Sequence, residues 1–168
     1  MQEAVPAGVG AMAAVMNMTA PDLESLCQKV STPESQVTIV NYNSPQQLVV
    51  AGHKTAVDAL AKALEAFSGV RAIILPVSAP FHSPLMSPAR EKMTPLLNES
   101  TFHRNNHKII PNLTGQVVDH YDAPLLIGQI DRPVLWTQTL DTANQGGCTV
   151  YLEIGPGKVL FGLARRTL

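Results

Sequence analysis

Cysteine is scarce in this chain. Cys27 and Cys148 are the two in 168 residues, and they form neither a CxxC pair nor a disulfide framework. Two reduced thiols in a cytoplasmic protein are the expectation. An excess of positive charge is also lacking: 12 basic residues face 13 acidic ones, for a net charge of -1. A nucleic-acid binder normally presents a basic face, so that class is excluded. No apolar run approaches the roughly 20 residues a membrane helix needs. The first residues carry neither a basic n-region nor an apolar h-region, so nothing points to secretion. No GxGxxG occurs, which removes support for a dinucleotide site. Gly155-Pro156-Gly157-Lys158-Val159 lacks both the spacing and the hydroxyl of a phosphate loop, and reads instead as a tight strand-to-helix turn. No G-x-S-x-G nucleophile elbow stands anywhere in the sequence.

What is present is ordinary globular material, 45% hydrophobic and 15% charged. A chain of about 150 residues buries roughly 70% of its unfolded surface, so size alone does not forbid independent folding. Gly10 to Met16 is small and apolar and suits a buried strand. Thr19 is placed to cap a helix, with Pro21 in its first turn. Leu23, Leu26, Cys27 and Val30 then repeat at i, i+3, i+4, i+7, one buried helical face. Val37 to Tyr42 and Leu48 to Ala51 read as strands joined by the turn Asn43-Ser44-Pro45-Gln46. A second helix runs from Lys54 to Phe67, with Val57, Leu60, Ala61 and Leu64 inward. Ser68-Gly69 ends it, and Val70 to Val77 is a fourth strand. The order β-α-β-β-α-β over residues 9–77 predicts a split βαβ, or ferredoxin-like, unit in an α/β protein.

The second half is less self-contained. A loop with two prolines leads to a helix over Pro88 to Leu97. Strands are expected at Lys108 to Leu113 and Thr149 to Ile154, and helices at Pro124 to Ile130, at Val134 to Ala143 and from Lys158. Two strands cannot make a stable sheet alone. Residues 78–168, with 1–8, therefore read as part of an α/β layer whose other strands lie elsewhere.

Five histidines offer chemistry. His82, in Pro80-Phe81-His82-Ser83-Pro84, sits in a proline-stiffened loop between strand and helix. From spacing alone it is either a positioned general base or a loop histidine with no task. His103 and His107 are four apart, but no glutamate lies between them where a zincin needs its base, and a solvated polar stretch fits better. His53 and His120 read as structural or surface residues. A histidine base with no nucleophile performs no covalent catalysis.

Several segments together go further: Met1-Gln2-Glu3-Ala4-Val5-Pro6, Gly10-Ala11-Met12-Ala13-Ala14-Val15, Val40-Asn41-Tyr42-Asn43-Ser44-Pro45, Val49-Val50-Ala51-Gly52-His53 and Pro76 to Met86. Pro133-Val134-Leu135-Trp136-Thr137 and Glu153 to Leu160 follow. In this order and spacing they resemble the malonyl-CoA:acyl carrier protein transacylases of bacterial fatty-acid synthesis, along essentially the whole chain. The resemblance implies an α/β-hydrolase-like large subdomain carrying a ferredoxin-like small one. It implies malonyl transfer from coenzyme A to a serine, then to the phosphopantetheine thiol of acyl carrier protein. No cofactor is implied, since the coenzyme A thioester is a substrate, and neither nucleic acid nor membrane is an expected partner.

Position by position, His82 matches the family's base, and Gln129 matches the residue whose carbonyl holds that histidine in its working tautomer. Asn41, Asn43 and Gln47 fall where the small subdomain borders the cleft, as coenzyme A or acyl contacts. Turn-forming structural roles account for them equally well. Phe81 resembles the malonyl-selective form of the family, its ring crowding an α-methyl branch. The sequence departs from the family by lacking the GHSLGE elbow, the GQGSQ stretch and the arginine upstream of MQEAVP. It thus resembles the C-terminal portion, and is expected to be inactive alone. The alternatives are one half of a split enzyme completed by a second chain, and a non-catalytic module that binds acyl carrier protein.

Overall fold

The computed structural model describes residues 4–77, 79–104 and 106–168. Met1 to Glu3 of the first family-like segment, Ser78, and Asn105 between the paired histidines lie outside the described residues. The chain is α/β, with a four-stranded antiparallel sheet and six helices among the described residues.

The strands are β1 (Gly10–Met16), β2 (Val37–Ser44), β3 (Gln47–His53) and β4 (Arg71–Ile74), in the spatial order β2-β3-β1-β4. Helix α1 (Ala20–Val30) follows β1, and α2 (Lys54–Leu64) follows β3. Thr19 caps α1 by accepting from the Asp22 amide at 3.4 Å. Side chains alternate across a strand, and here both faces of β1, β2 and β3 carry buried residues. Ala13, Val15, Ile39, Leu48 and Val50 pack beneath α1 and α2 with Leu23, Val57, Leu60 and Leu64. Met12, Ala14, Val40, Val49 and Ala51 form the opposite face, against which Leu75 and Phe81 pack. Double-sided burial explains why β1 and β3 are apolar runs rather than alternating ones.

Close packing also fixes Gly52. A Cβ there would stand 2.0 Å from the Gln36 carbonyl oxygen and 2.7 Å from the Val37 Cα. The β2–β3 ladder shifts register between Ile39 and Asn41 and again between Tyr42 and Ser44. Such irregularities bend a strand and re-aim its side chains. The strand at Val70 to Val77 is shorter than expected: Leu75 still donates to Met12, at 2.9 Å, but Pro76 has no amide to continue the ladder.

The second half comprises a short 3-10 turn (Pro84–Met86), α3 (Ser87–Glu99), α4 (Ala123–Gln129), α5 (Trp136–Gln145) and α6 (Val159–Thr167). Neither strand expected here forms. Ile109 makes a single bridge to Val118, and Pro111 interrupts the rest. Residues 149–154 belong to no helix or strand, with Val150, Leu152 and Ile154 exposed at 76%, 82% and 94%. A strand needs a neighbour for its backbone groups, and none is at hand.

The helix expected from Val134 begins only at Trp136, and Val134 instead lies along the outer edge of β2. Its amide donates to Val40 at 2.8 Å, and its carbonyl accepts from Tyr42 at 3.0 Å. This parallel contact at Asn41 joins the second half to the sheet edge.

Candidate functional site

His82 is built into a strained turn. Its φ is 61°, in the left-handed region that costs an L-residue roughly 1–2 kcal/mol. The turn is held by Ser83, wholly buried, whose Oγ donates to the Pro80 carbonyl at 2.7 Å. The Ser83 amide donates to the same oxygen at 3.3 Å, and the Met86 amide to the Ser83 carbonyl at 2.9 Å. Residues in sparsely populated backbone regions persist where their surroundings over-determine them, and they cluster at functional sites.

The imidazole Nδ1 lies 2.8 Å from the main-chain carbonyl oxygen of Gln129, at the end of α4. A carbonyl only accepts, so Nδ1 carries the proton and the neutral ring leaves Nε2 free as an acceptor. The Gln129 side chain turns the other way. Its Nε2 donates to the carbonyls of Arg132 at 3.0 Å and Pro133 at 3.2 Å, tightening the turn that presents its own carbonyl. Beside the pair lies an apolar cavity of about 270 Å³, lined by Met93, Leu97, Leu126 and Ile130 as well as His82 and Gln129.

The other sequence-singled residues fall in two groups. Asn41 pairs with Val49 and Gln47 with Ser44, which by register puts both on the face carrying Val40 and Val49. That is the face receiving Phe81, whose ring bridges the sheet to the Met86–Ala89–Ile130 cluster. Asn43 sits in the second ladder irregularity, half-buried like Asn41 and Gln47. None of the three makes a side-chain hydrogen bond to His82 or Gln129. Gln47 instead accepts from Arg166 at 3.3 Å, a contact from α6 across 119 residues that no local pattern signals.

The remaining histidines stay outside. His53 accepts the Gln36 amide on Nδ1 at 3.0 Å, a structural role. His103, His107 and His120 are exposed and outside regular structure. Among the described residues, no three His, Cys, Asp or Glu side chains converge on a metal position. The Gly155–Gly157 loop is no phosphate cradle either. The Glu153 carboxylate already accepts the Leu160 and Phe161 amides, at 3.2 and 2.8 Å, and occupies the start of α6. A larger cavity of about 680 Å³ lies between α1 and β2 and contains neither His82 nor Gln129. On its wall, burial and then Glu24 push the Cys27 thiol up to about 12. Burial and the hydrogen bond to Glu24 push Tyr42 up to about 12 as well.

No protein-family model matches the chain. The malonyl CoA-acyl carrier protein transacylase of Escherichia coli (strain K12) is 40% identical over 169 residues, 99% of this chain and 54% of that protein. This chain is homologous to the malonyl CoA-acyl carrier protein transacylases. The Bacillus subtilis (strain 168) transacylase is 37% identical over 99% of this chain and 53% of its own length. The crystal structure of the Clostridium perfringens transacylase superposes with a TM-score of 0.93 at 37% identity, over 99% of this chain and 53% of that one. A malonyl-transacylase in complex with AntF, a type II PKS acyl-carrier protein, superposes at 0.91 and 37% identity, over 99% and 54%. The chain thus spans about half the length of the transacylases it matches. No helix among the described residues is long and apolar enough to cross a membrane.

Proposed function

We propose that this chain is the base-bearing, C-terminal portion of a malonyl-CoA:acyl carrier protein transacylase. In this reading residues 9–77 are a ferredoxin-like small subdomain. Residues 78–168, with 1–8, are an incomplete α/β-hydrolase-like layer. The observation that carries the reading is the 2.8 Å contact from His82 Nδ1 to the Gln129 carbonyl, which leaves Nε2 basic.

The chemistry then follows. His82 Nε2 takes the proton of a serine hydroxyl as that oxygen attacks the thioester carbonyl of malonyl-CoA. The tetrahedral intermediate collapses, the C–S bond breaks, and the coenzyme A sulfur leaves with the proton held by His82. In the second half-reaction the phosphopantetheine thiol gives its proton to His82 and attacks the acyl-serine. The serine oxygen recovers the proton as it departs. Gln129 takes the place of the acid of a Ser-His-Asp triad, fixing the tautomer without a negative charge. Asn41, Asn43 and Gln47 contact coenzyme A or the acyl chain, and Phe81 disfavours a branched acyl group. Malonyl-CoA and acyl carrier protein are the partners.

These 168 residues contain no G-x-S-x-G, so alone they supply a base and no nucleophile elbow. The exposed Val150, Leu152 and Ile154 favour a complementary half that pairs with this segment and brings the serine. The test is a malonyl transfer assay with the purified chain, alone and mixed with the half of the E. coli transacylase that it does not match. Transfer to carrier protein is expected in the mixture and is lost with His82→Ala. Turnover by the chain alone, or a mixture unaffected by His82→Ala, overturns the proposal.

A further inference from the structure

The contact between His82 and Gln129 is the first of three ties between the same two segments. One segment runs from His82 through the 3-10 turn into α3, and the other is the end of α4 with the residues after it. One residue beyond Gln129, Ile130 is buried against Met86 and Ala89. One further on, Asp131 Oδ2 meets Arg90 Nη1, one turn into α3, at 3.2 Å.

The Arg90–Asp131 pair has an unusual character for a stabilising contact. The Asp131 side chain is 9% exposed and Arg90 is 39% exposed, so the acid is desolvated while its partner remains half in water. Asp131 Oδ1 is buried with no hydrogen-bond partner among the described residues. A carboxylate held this way recovers little of its desolvation cost, and the best-attested use of such buried charges is to fix register. The register fixed here is that of α3 against the turn presenting the Gln129 carbonyl.

We infer that Arg90 and Asp131 are positioning residues for His82, clamping α3 to the turn after α4 so that Nδ1 and the Gln129 carbonyl stay within hydrogen-bond reach. Neither side chain touches the imidazole. They act through the backbone of both segments, with Ile130 as the packed spacer between the polar ties. The inference rests on the reading of His82 as a base for its purpose, but its geometric content stands separately.

The test is nitrogen NMR of the His82 ring in the 168-residue chain at a pH where the ring is neutral. The parent chain is expected to show one tautomer, with the proton on Nδ1 slow to exchange. Arg90→Met keeps the length of the stem and removes the charge. It is expected to move the tautomer ratio toward Nε2–H by about two- to tenfold, the worth of one net hydrogen bond, with the backbone amide spectrum otherwise preserved. Arg90→Lys is expected to retain the parent signature. Asp131→Asn is close to isosteric and carries the test by itself should the methionine variant fail to fold; a smaller shift in the same direction is expected. An unchanged Nδ1–H signal in folded Arg90→Met or in Asp131→Asn overturns the inference. So does a loss in Arg90→Lys as large as in Arg90→Met. These readouts need no acyl transfer, so failure of the clamp and failure of the base assignment give different results.

Discussion

Replacing His82 by glycine and by alanine separates the backbone of the site from its side chain. Both variants lose the 2.8 Å contact to Gln129, a loss of about 0.5–1.5 kcal/mol in each. They differ in what φ of 61° costs them. Alanine keeps the left-handed penalty of about 1–2 kcal/mol, whereas glycine has none. Glycine in turn loses about 0.4–1 kcal/mol to the greater freedom of its unfolded chain. The central values, about 1.5 against about 0.7 kcal/mol, leave His82→Gly more stable than His82→Ala by about 0.8 kcal/mol, the reverse of the order at an unstrained position. Urea unfolding reads this as a midpoint about 0.3–0.5 M higher for the glycine variant, taking a slope of about 2 kcal/mol/M. If alanine is equal to or more stable than glycine, residue 82 is not held in a strained turn, and the account of its positioning fails.

Leu60→Ala, at the centre of the cluster under α1 and α2, is expected to cost about 2–5 kcal/mol, whereas Leu152→Ala on the unpaired segment changes stability by under about 0.5 kcal/mol in the same unfolding assay. Gly52→Ala drives a methyl into the Gln36 carbonyl and is expected to cost about 3 kcal/mol or more, seen as loss of soluble folded protein. Cys27 and Tyr42 are both raised to about 12, from ordinary values of 9.0 and 10.0, so the folded state holds protons that the unfolded chain releases. Stability is therefore fully present below pH 9 and falls between pH 9 and 12, and Cys27→Ala with Tyr42→Phe should flatten that decline in denaturation curves taken across the range. Tyr42 should show its tyrosinate absorbance only as the pH nears 12, a component that Tyr42→Phe removes.

The first half was legible because each of its signals is local. Thr19 and Pro21 start α1, the Val57–Leu60–Leu64 spacing marks the buried face of α2, and the β-branched runs become β2 and β3. The ends were read less well where a longer-range contact decided them: Pro76 cuts β4 short, and the β2–β3 hairpin takes in Asn43 and Ser44, which read as turn. In the second half, Thr149 to Ile154 has strand composition but no neighbour to pair with, so composition alone overstated it. Val134 was read as helical because nothing nearby in the sequence announces that its partner is the edge of β2, over 90 residues back.

The site divides in the same way. His82 stood out through its proline-flanked loop and the family-like segment around it. Gln129 was reached by resemblance alone, since the group that meets the imidazole is a main-chain carbonyl, which any residue possesses. The Arg90–Asp131 and Gln47–Arg166 contacts join residues 41 and 119 apart, and no periodicity could have signalled them.

The most direct measurement of the central claim is intact-mass detection of a malonyl adduct on the half of the E. coli transacylase that this chain does not match, after brief mixing with malonyl-CoA and this chain. The account predicts an adduct with the parent chain and none with His82→Ala or with that half by itself. Equal labelling in all three mixtures would contradict it.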